Sequence, residues 1–288
     1  MPVRVVESKQ NARVKELRKA LTAPSHGANG LVGIEGRKML EEALHAGLRV
    51  ATVFVAQGAE RSLYSLALPE EIEVLRLPRQ LLDSVLATET PQPVAALVEP
   101  PDWSWQQLLH RDKTKALIIV LAGIQDPGNM GTILRSAEAF GATGVVSLPG
   151  TVSAWNPKAV RASAGSVFRM PHRAASENEC FEQLREAELR ILATTVQGAQ
   201  PADQVDMANS VALIIGNEGN GVSDELVARA DARITIPCPG PVESLNAAMA
   251  ATVLLYEAAR QRAAAMSKPP GSPRGPSKRL PHVMGARR

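Results

Sequence analysis

The stretch IIGNEGNGV, residues 214–222, decides how the rest of the chain is read. It closes the apolar run that starts at Val211 and sets Gly216, Gly219 and Gly221 within six residues. A short apolar run ending in glycines reads as a buried strand followed by a tight turn, where backbone must come close to something. Phosphate is the usual guest of such a loop, and the residues argue against it. A dinucleotide fingerprint needs G-x-G-x-x-G after the first strand of a βαβ unit, with an acid about 20 residues on. Here the glycines follow a late strand and read G-N-E-G-N-G. A P-loop needs Lys and Ser/Thr at its helix start, and neither Lys nor Arg is near. Glu218 sits inside the loop, and a carboxylate repels phosphate. A ligand without phosphate, or a cationic one, fits better; a turn that binds nothing remains the plain reading.

Outward from this loop, strand and helix signals alternate at α/β spacing. Strands are expected at Ala116–Ala122, Gly144–Leu148, Leu189–Thr195, Val211–Gly216 and Ala232–Ile236. Helices are expected at Thr132–Phe140, Pro157–Ala164, Glu179–Ala187 and, capped by Ser223, from Asp224 to Arg229. A long final helix over Leu245–Ala265, apolar on most sides, must be buried against something, a partner subunit being one candidate. Upstream lies a smaller α/β unit. Ser8 caps a helix over Lys9–Leu21 whose Val14, Leu17 and Leu21 form one stripe, with Lys9, Arg13, Lys15, Arg18 and Lys19 around it. Strands at Leu31–Ile34, VATVFVA, EVLRL and PVAALVE follow, with helices over Gly36–Ala46, near Tyr64 and over Arg79–Leu86. Pro100-Pro101-Asp102 breaks the pattern. The division is therefore residues 1–100, a linker over 101–115 where Trp103 and Trp105 pack the joint, a second unit over 116–266, and a tail over 267–288.

Of 288 residues, 45% are hydrophobic and 21% charged, ordinary for a globular protein. No run approaches the roughly 18 apolar residues of a membrane span. The N-terminus has no apolar core of signal type, so a cytoplasmic protein without membrane contact is expected. Two cysteines exclude a disulfide framework and a cysteine-rich zinc site. The five histidines are scattered, and no metal is suggested. The net charge of +3 is uneven. Six of the 32 lysines and arginines lie in the tail with no acid, leaving 26 against 29 acids elsewhere. That Pro- and Gly-rich tail reads as a disordered cationic arm, suited to nucleic acid or to solubility alone. Aromatics are only 3%, so a nucleic-acid partner would be held by phosphate contact and shape rather than by stacked bases.

Two more segments bear on the glycine loop. In residues 121–146 a strand ends at Gln125-Asp126-Pro127-Gly128-Asn129, turns, and enters a helix carrying Arg135. In residues 236–258 a strand ends, Pro237, Pro239, Gly240 and Pro241 force an irregular loop, and Glu243-Ser244-Leu245-Asn246 opens the last helix, Ser244 being a good cap. Three polar loops at strand ends make a ligand crevice of an open α/β sheet. Together D-P-x-N-x-G with a downstream Arg, I-x-G-N-E-x-x-G and I-P-x-x-G-x-x-x-S-L-N, in that order, resemble the three-motif signature of the SpoU-type (SPOUT, TrmH-like) RNA ribose 2′-O-methyltransferases. The first unit, through Ile34-Glu35-Gly36-Arg37 and the helix after it, resembles the family's substrate-binding domain, similar in fold to small ribosomal proteins.

The resemblance implies a C-terminal open parallel sheet tied in a deep trefoil knot, a homodimer, and S-adenosylmethionine as methyl donor to a ribose 2′-OH of RNA, ribosomal rather than transfer. It implies a cofactor pocket at Thr195, Gly216, Asn217, Glu218, Gly219, Ile236, Leu245 and Asn246, with Ile and Leu side chains clamping adenine. It also implies a catalytic group of Arg135, Asn129, Glu218, Ser244 and Asn246. The family assigns activation of the hydroxyl to Arg135; a guanidinium is a poor proton acceptor, and binding the adjacent RNA phosphate is the easier role. Asn129 would orient Arg135 or the ribose, and Glu218 would pair with Arg135. A catalytically silent RNA-binding protein of the same fold is the alternative. A dehydrogenase-type nucleotide-binding domain is a third reading, which predicts NAD binding.

Overall fold

A computed structural model describes residues 3–22, 30–86, 88–109, 115–196, 198–217, 219–241 and 244–267. Glu218, Glu243 and nearly all of the cationic tail lie outside the described residues. The chain forms two sheets. The second, which carries the motifs, is wholly parallel and seven-stranded in the order β10-β12-β9-β11-β6-β7-β8. Its strands are β6 (Leu117–Ala122), β7 (Gly144–Ser147), β8 (His172–Ala174), β9 (Arg190–Thr194), β10 (Gln200–Pro201), β11 (Val211–Gly216) and β12 (Ala232–Thr235). At its centre β6 and β11 run in register from Leu117↔Val211 to Ala122↔Gly216.

The continuous apolar runs of β6 and β11 follow from burial on both faces. Successive side chains point to opposite sides of a strand. Leu117, Ile119, Leu121, Val211, Leu213 and Ile215 enter one core, while Ile118, Val120, Ala212 and Ile214 enter another. The first core is covered by α5 (Pro127–Ala139), α6 (Pro157–Ala162) and α9 (Ala247–Met266). The second is covered by α4 (Trp105–Leu109), α7 (Glu177–Glu186) and α8 (Asp224–Arg229). Helix α9 buries Ala251, Leu254, Leu255 and Ala258. Each fully buried leucine is worth about 1.5–3 kcal/mol relative to exposure. Its far end is fastened by Arg262, which donates to the carbonyls of Lys115, Ala116, Met207 and Asn209. Among the described residues, no helix is long and apolar enough to cross a membrane.

The first sheet is mixed and five-stranded, in the order β1-β4-β3-β5-β2: β1 (Val3–Val5), β2 (Val32–Glu35), β3 (Val50–Ala56), β4 (Glu73–Leu77) and β5 (Val94–Val98). On one face lie α1 (Ala12–Thr22) and α3 (Arg79–Asp83); α2 (Arg37–His45) lies on the other, in the same continuous core as α5 and α6.

Four local readings change. Helix α1 starts at Ala12 and is capped by Asn11, whose Oδ1 accepts from Arg13 and Val14, while Ser8 closes only a turn onto Gln10. Helix α5 starts at Pro127, five residues before the expected Thr132, because Asp126 caps it and proline occupies its first turn. Helix α9 is capped by Asn246, not Ser244. Residues 105–109, read as linker, form α4 with Leu108 and Leu109 buried in the second sheet's core. Trp103 and Trp105 pack against that core too.

Candidate active site

The carboxyl ends of β9, β11 and β12 open into one cleft of about 570 Å³, the size of a small-molecule site. The glycine loop forms one wall. Its tightness is set at Gly216: a Cβ there would stand 2.0 Å from the carbonyl carbon of Gly221 and 2.3 Å from the nitrogen of Val222. No side chain fits between those backbones, so glycine is required. The loop folds back on itself, with Gly221 N donating to Asn217 O at 3.1 Å. Asn217 Oδ1 accepts from Gly219 N at 3.0 Å and from Asn220 N at 2.7 Å. The Asn217 amide oxygen is therefore spent on holding the turn.

Thr195, Gly216, Asn217, Gly219, Ile236, Ser244 and Leu245 all line this cleft, so segments far apart in sequence meet there. None of the described lining residues is charged. Thr194 Oγ1 donates to Ile214 O at 2.9 Å, and Thr195 N donates to Ile234 O at 3.0 Å, which fixes the strand ends beneath the cleft. Ile236 and Leu245 are half-buried, free on one side to meet a ligand.

Of the expected catalytic residues described, Ser244 lines the cleft, Asn246 and its partner Asn129 stand beside it, and Arg135 lies further along α5. Asn246 lies between the lining residues Leu245 and Ala247. Its Oδ1 accepts from Ala248 N at 3.0 Å and Met249 N at 3.3 Å, and its Nδ2 donates to Asn129 Oδ1 at 3.2 Å. One amide thus caps α9 and joins it to the first turn of α5. The second tie is the Ser136 to Thr252 hydroxyl pair at 2.7 Å. Asn129 and Ser136 are seven apart, so they share the stripe of α5 that faces α9. Arg135 does not. Because Asn129 is in the helix and not in a preceding loop, six residues turn Arg135 about 120° from it and carry it about 9 Å along the axis. Arg135 is exposed and makes no side-chain hydrogen bond or ion pair among the described residues. The expected pairing of Arg135 with Glu218 concerns a residue outside those described. Gly131 of the first motif serves packing: a Cβ there would lie 2.4 Å from Ala159 O in α6. Among the described residues, no three His, Cys, Asp or Glu side chains group as metal ligands.

Two family matches and several relatives fit this geometry. Residues 116–256 match the SpoU rRNA Methylase family, and residues 34–104 match the RNA 2′-O ribose methyltransferase substrate-binding family. The chain is 32% identical over 251 residues to the Bacillus subtilis 23S rRNA (guanosine(2553)-2′-O)-methyltransferase RlmP, covering 87% of this chain and 97% of that one. The chain belongs to the SpoU rRNA methylase family. Its fold matches an AdoMet-bound rRNA methyltransferase from Sinorhizobium meliloti with a TM-score of 0.78 at 29% identity, over 90% of this chain and 98% of that chain. It also matches the SpoU methyltransferase AviRb of Streptomyces viridochromogenes in complex with AdoMet, with a TM-score of 0.76 at 29% identity, over 88% and 99%. This SpoU protein is accordingly an RNA 2′-O-ribose methyltransferase.

What sequence reasoning missed is a set of supporting contacts. Glu35, 7% exposed, accepts from Thr88 Oγ1 at 2.7 Å and Gln92 N at 2.9 Å, and so holds the loop before β5. Arg37 donates to Ser62 O and Ser65 Oγ, fixing the loop after β3. The conspicuous Glu-Gly-Arg triplet was the available signal.

Proposed function

We propose that the protein methylates a ribose 2′-oxygen of ribosomal RNA, large-subunit RNA in particular, with the first sheet holding the RNA and the cleft at β9, β11 and β12 holding the methyl donor. The observation that carries this reading is a cleft of cofactor size, walled by backbone and uncharged side chains, beside a bonded Asn246–Asn129 pair. S-adenosylmethionine is the donor, and it supplies an activated methyl group on a cationic sulfur. It has no phosphate, which suits a cleft without lysine or arginine among its described lining residues. Gly216, Gly219 and Asn217 would approach it with backbone, and Thr195, Ile236, Leu245 and the neighbouring Asn246 would complete the pocket. The trefoil knot belongs to the same reading.

The chain's own groups have two tasks, to position the ribose and to help its proton leave. Charge is neutralised as the methyl moves, so an uncharged cleft that excludes water favours the step. Arg135 holds the RNA phosphate next to the reacting ribose and stabilises the developing alkoxide by charge-assisted hydrogen bonds. The proton passes to that phosphate or to water, since the guanidinium itself stays protonated. Asn129, held by Asn246, directs its amide at the ribose, and Ser244 at the cleft wall contacts the substrate.

The protein acts as a homodimer in the cytoplasm. Met249, Val253 and Tyr256 of α9 are 58%, 43% and 56% exposed at spacings of four and three, an apolar stripe continuous with Asn246. A second copy covering that stripe would bury it next to the active site; light scattering at micromolar concentration tests this.

The deciding experiment maps ribose methylation across total RNA from cells with and without the protein. One 2′-O-methyl position in 23S rRNA should disappear. Loss from a transfer RNA alone would overturn the ribosomal assignment. Complementation with Arg135→Ala should fail to restore the mark while the purified variant binds S-adenosylmethionine normally; restoration would remove Arg135 from the mechanism.

A further inference from the structure

Among the described residues, the ion pair that crosses between the two sheets is centred on Arg169, which follows the 3-10 turn Ser166–Phe168. Its Nη1 donates to Glu42 Oε2 at 2.6 Å. Its Nε donates to Glu138 Oε1 at 2.6 Å and its Nη2 to Glu138 Oε2 at 3.2 Å. Glu42 lies on α2, the helix that packs the first sheet toward the second. Glu138 lies in the last turn of α5, three residues beyond Arg135. One planar guanidinium therefore grips the RNA-holding sheet with one hand and the helix of Asn129 and Arg135 with the other.

The surrounding backbone is shaped for this contact. Gly165 adopts φ +94°, and a Cβ there would stand 2.8 Å from both Cγ and Oε2 of Glu42. Glycine lets the Glu42 carboxylate reach Arg169. The guanidinium is held above its ordinary range by its hydrogen bond to Glu138, with Glu42 adding to this and burial opposing it. All three side chains are about two-thirds to three-quarters buried, with exposures of 34%, 26% and 32% for Arg169, Glu42 and Glu138. Such a site screens less than an open surface.

We propose that Arg169 is a positioning residue for methyl transfer: through Glu42 and Glu138 it fixes the RNA-holding sheet against α5, so that RNA bound on the first sheet presents its ribose at the cleft. The proposal rests on the division of labour set out under the proposed function. Two RNA-contacting units held rigidly form one preorganised surface. Once loosened, they must be ordered again at each binding event, and that cost falls on RNA affinity. The methyl-donor cleft, formed wholly within the second sheet, is untouched.

The test compares wild type with Glu42→Ala, Arg169→Ala and Arg169→Lys. Glu42→Ala leaves the Arg169–Glu138 pair intact, so α5 keeps its own partner. Steady-state methylation of an unmodified 23S rRNA transcript should show KM for RNA raised by about tenfold in both alanine variants, with kcat at saturating RNA near the wild-type value. Calorimetry should give an unchanged Kd for S-adenosylmethionine. Arg169→Lys, which keeps one charge, should recover part of the KM. Nitroxides at Arg61→Cys and Arg190→Cys in a Cys238→Ser background should report a narrow distance distribution that broadens with Glu42→Ala. A wild-type KM and an undisturbed distribution in Glu42→Ala would overturn the proposal, as would equal loss of donor binding, the mark of general misfolding. If wild type itself neither methylated the transcript nor bound the donor, the functional reading would fail instead, and the distance measurement would still decide whether Arg169 fixes the sheets.

Discussion

Replacing Gly216 with alanine places a methyl carbon 2.0 Å from the carbonyl carbon of Gly221, 2.2 Å from its oxygen and 2.3 Å from the nitrogen of Val222. Ordinary contact begins at 3.4 Å, so the Gly221–Val222 peptide must retreat by at least about 1.4 Å. That peptide is tied to Asn217 through Gly221 N, and Asn217 in turn holds Gly219 and Asn220. The retreat therefore moves the whole wall of the cleft. Forcing extra volume into a packed site costs about 1–3 kcal/mol. If the loop yields, this cost falls on ligand binding, making S-adenosylmethionine bind roughly 5- to 150-fold more weakly at 1.4 kcal/mol per decade. If the loop resists, it falls on stability, and Tm drops by roughly 2–12 °C at 2–4 °C per kcal/mol. Calorimetry and thermal melting on one preparation measure both shares. Gly240→Ala in the neighbouring loop is the control, since a Cβ there meets nothing within 4 Å. A Gly216→Ala protein with wild-type Kd and a Tm within about 1 °C of wild type would refute the argument that this close approach builds the cofactor wall.

Asn246 separates capping from catalysis. Asn246→Ala loses two accepted N–H groups of α9, about 1 kcal/mol, and the 3.2 Å bond to Asn129. Asn246→Asp restores the cap and the stability but not the donated bond, so its kcat should stay low; recovery of both would show that the Asn129 contact is idle. The two cysteines should differ in reactivity. Burial pushes the Cys180 thiol up to about 12, whereas Cys238 is exposed on the cleft. A thiol reagent at mild alkaline pH should label Cys238 rapidly and Cys180 slowly, and S-adenosylhomocysteine should slow the labelling of Cys238. Labelling unaffected by that ligand would place the cofactor elsewhere.

The parts of the fold that announced themselves were those whose local pattern and tertiary fate agree. Val211–Gly216 and Leu117–Ala122 are apolar at every position because alternate residues enter two cores, and they were readable as buried strands. Three motifs could be recognised in order, but that the second and third share one cleft, with the first joined to it through the Asn246–Asn129 bond, depends on strand order. The start of α5 was misread because Gly128 and Asn129 are turn formers, although Asp126 and Pro127 carry the cap and first-turn signals. The strands Val3–Val5 and His172–Ala174 have three residues each and exist through pairing with β4 and β7, which no local pattern encodes. The Arg169 triad was invisible for the same reason: its members lie 127 and 31 residues apart, and ion pairs at such range leave no periodicity.

The central claim is that this cleft delivers a methyl group to a ribose oxygen of RNA. Incubating the purified protein with methyl-labelled S-adenosylmethionine and unmodified ribosomal RNA transcripts, then digesting to nucleosides, tests it most directly. A single labelled 2′-O-methylnucleoside, released from one position of the 23S transcript, is the result predicted. No incorporation, or label recovered on a base, would contradict the account.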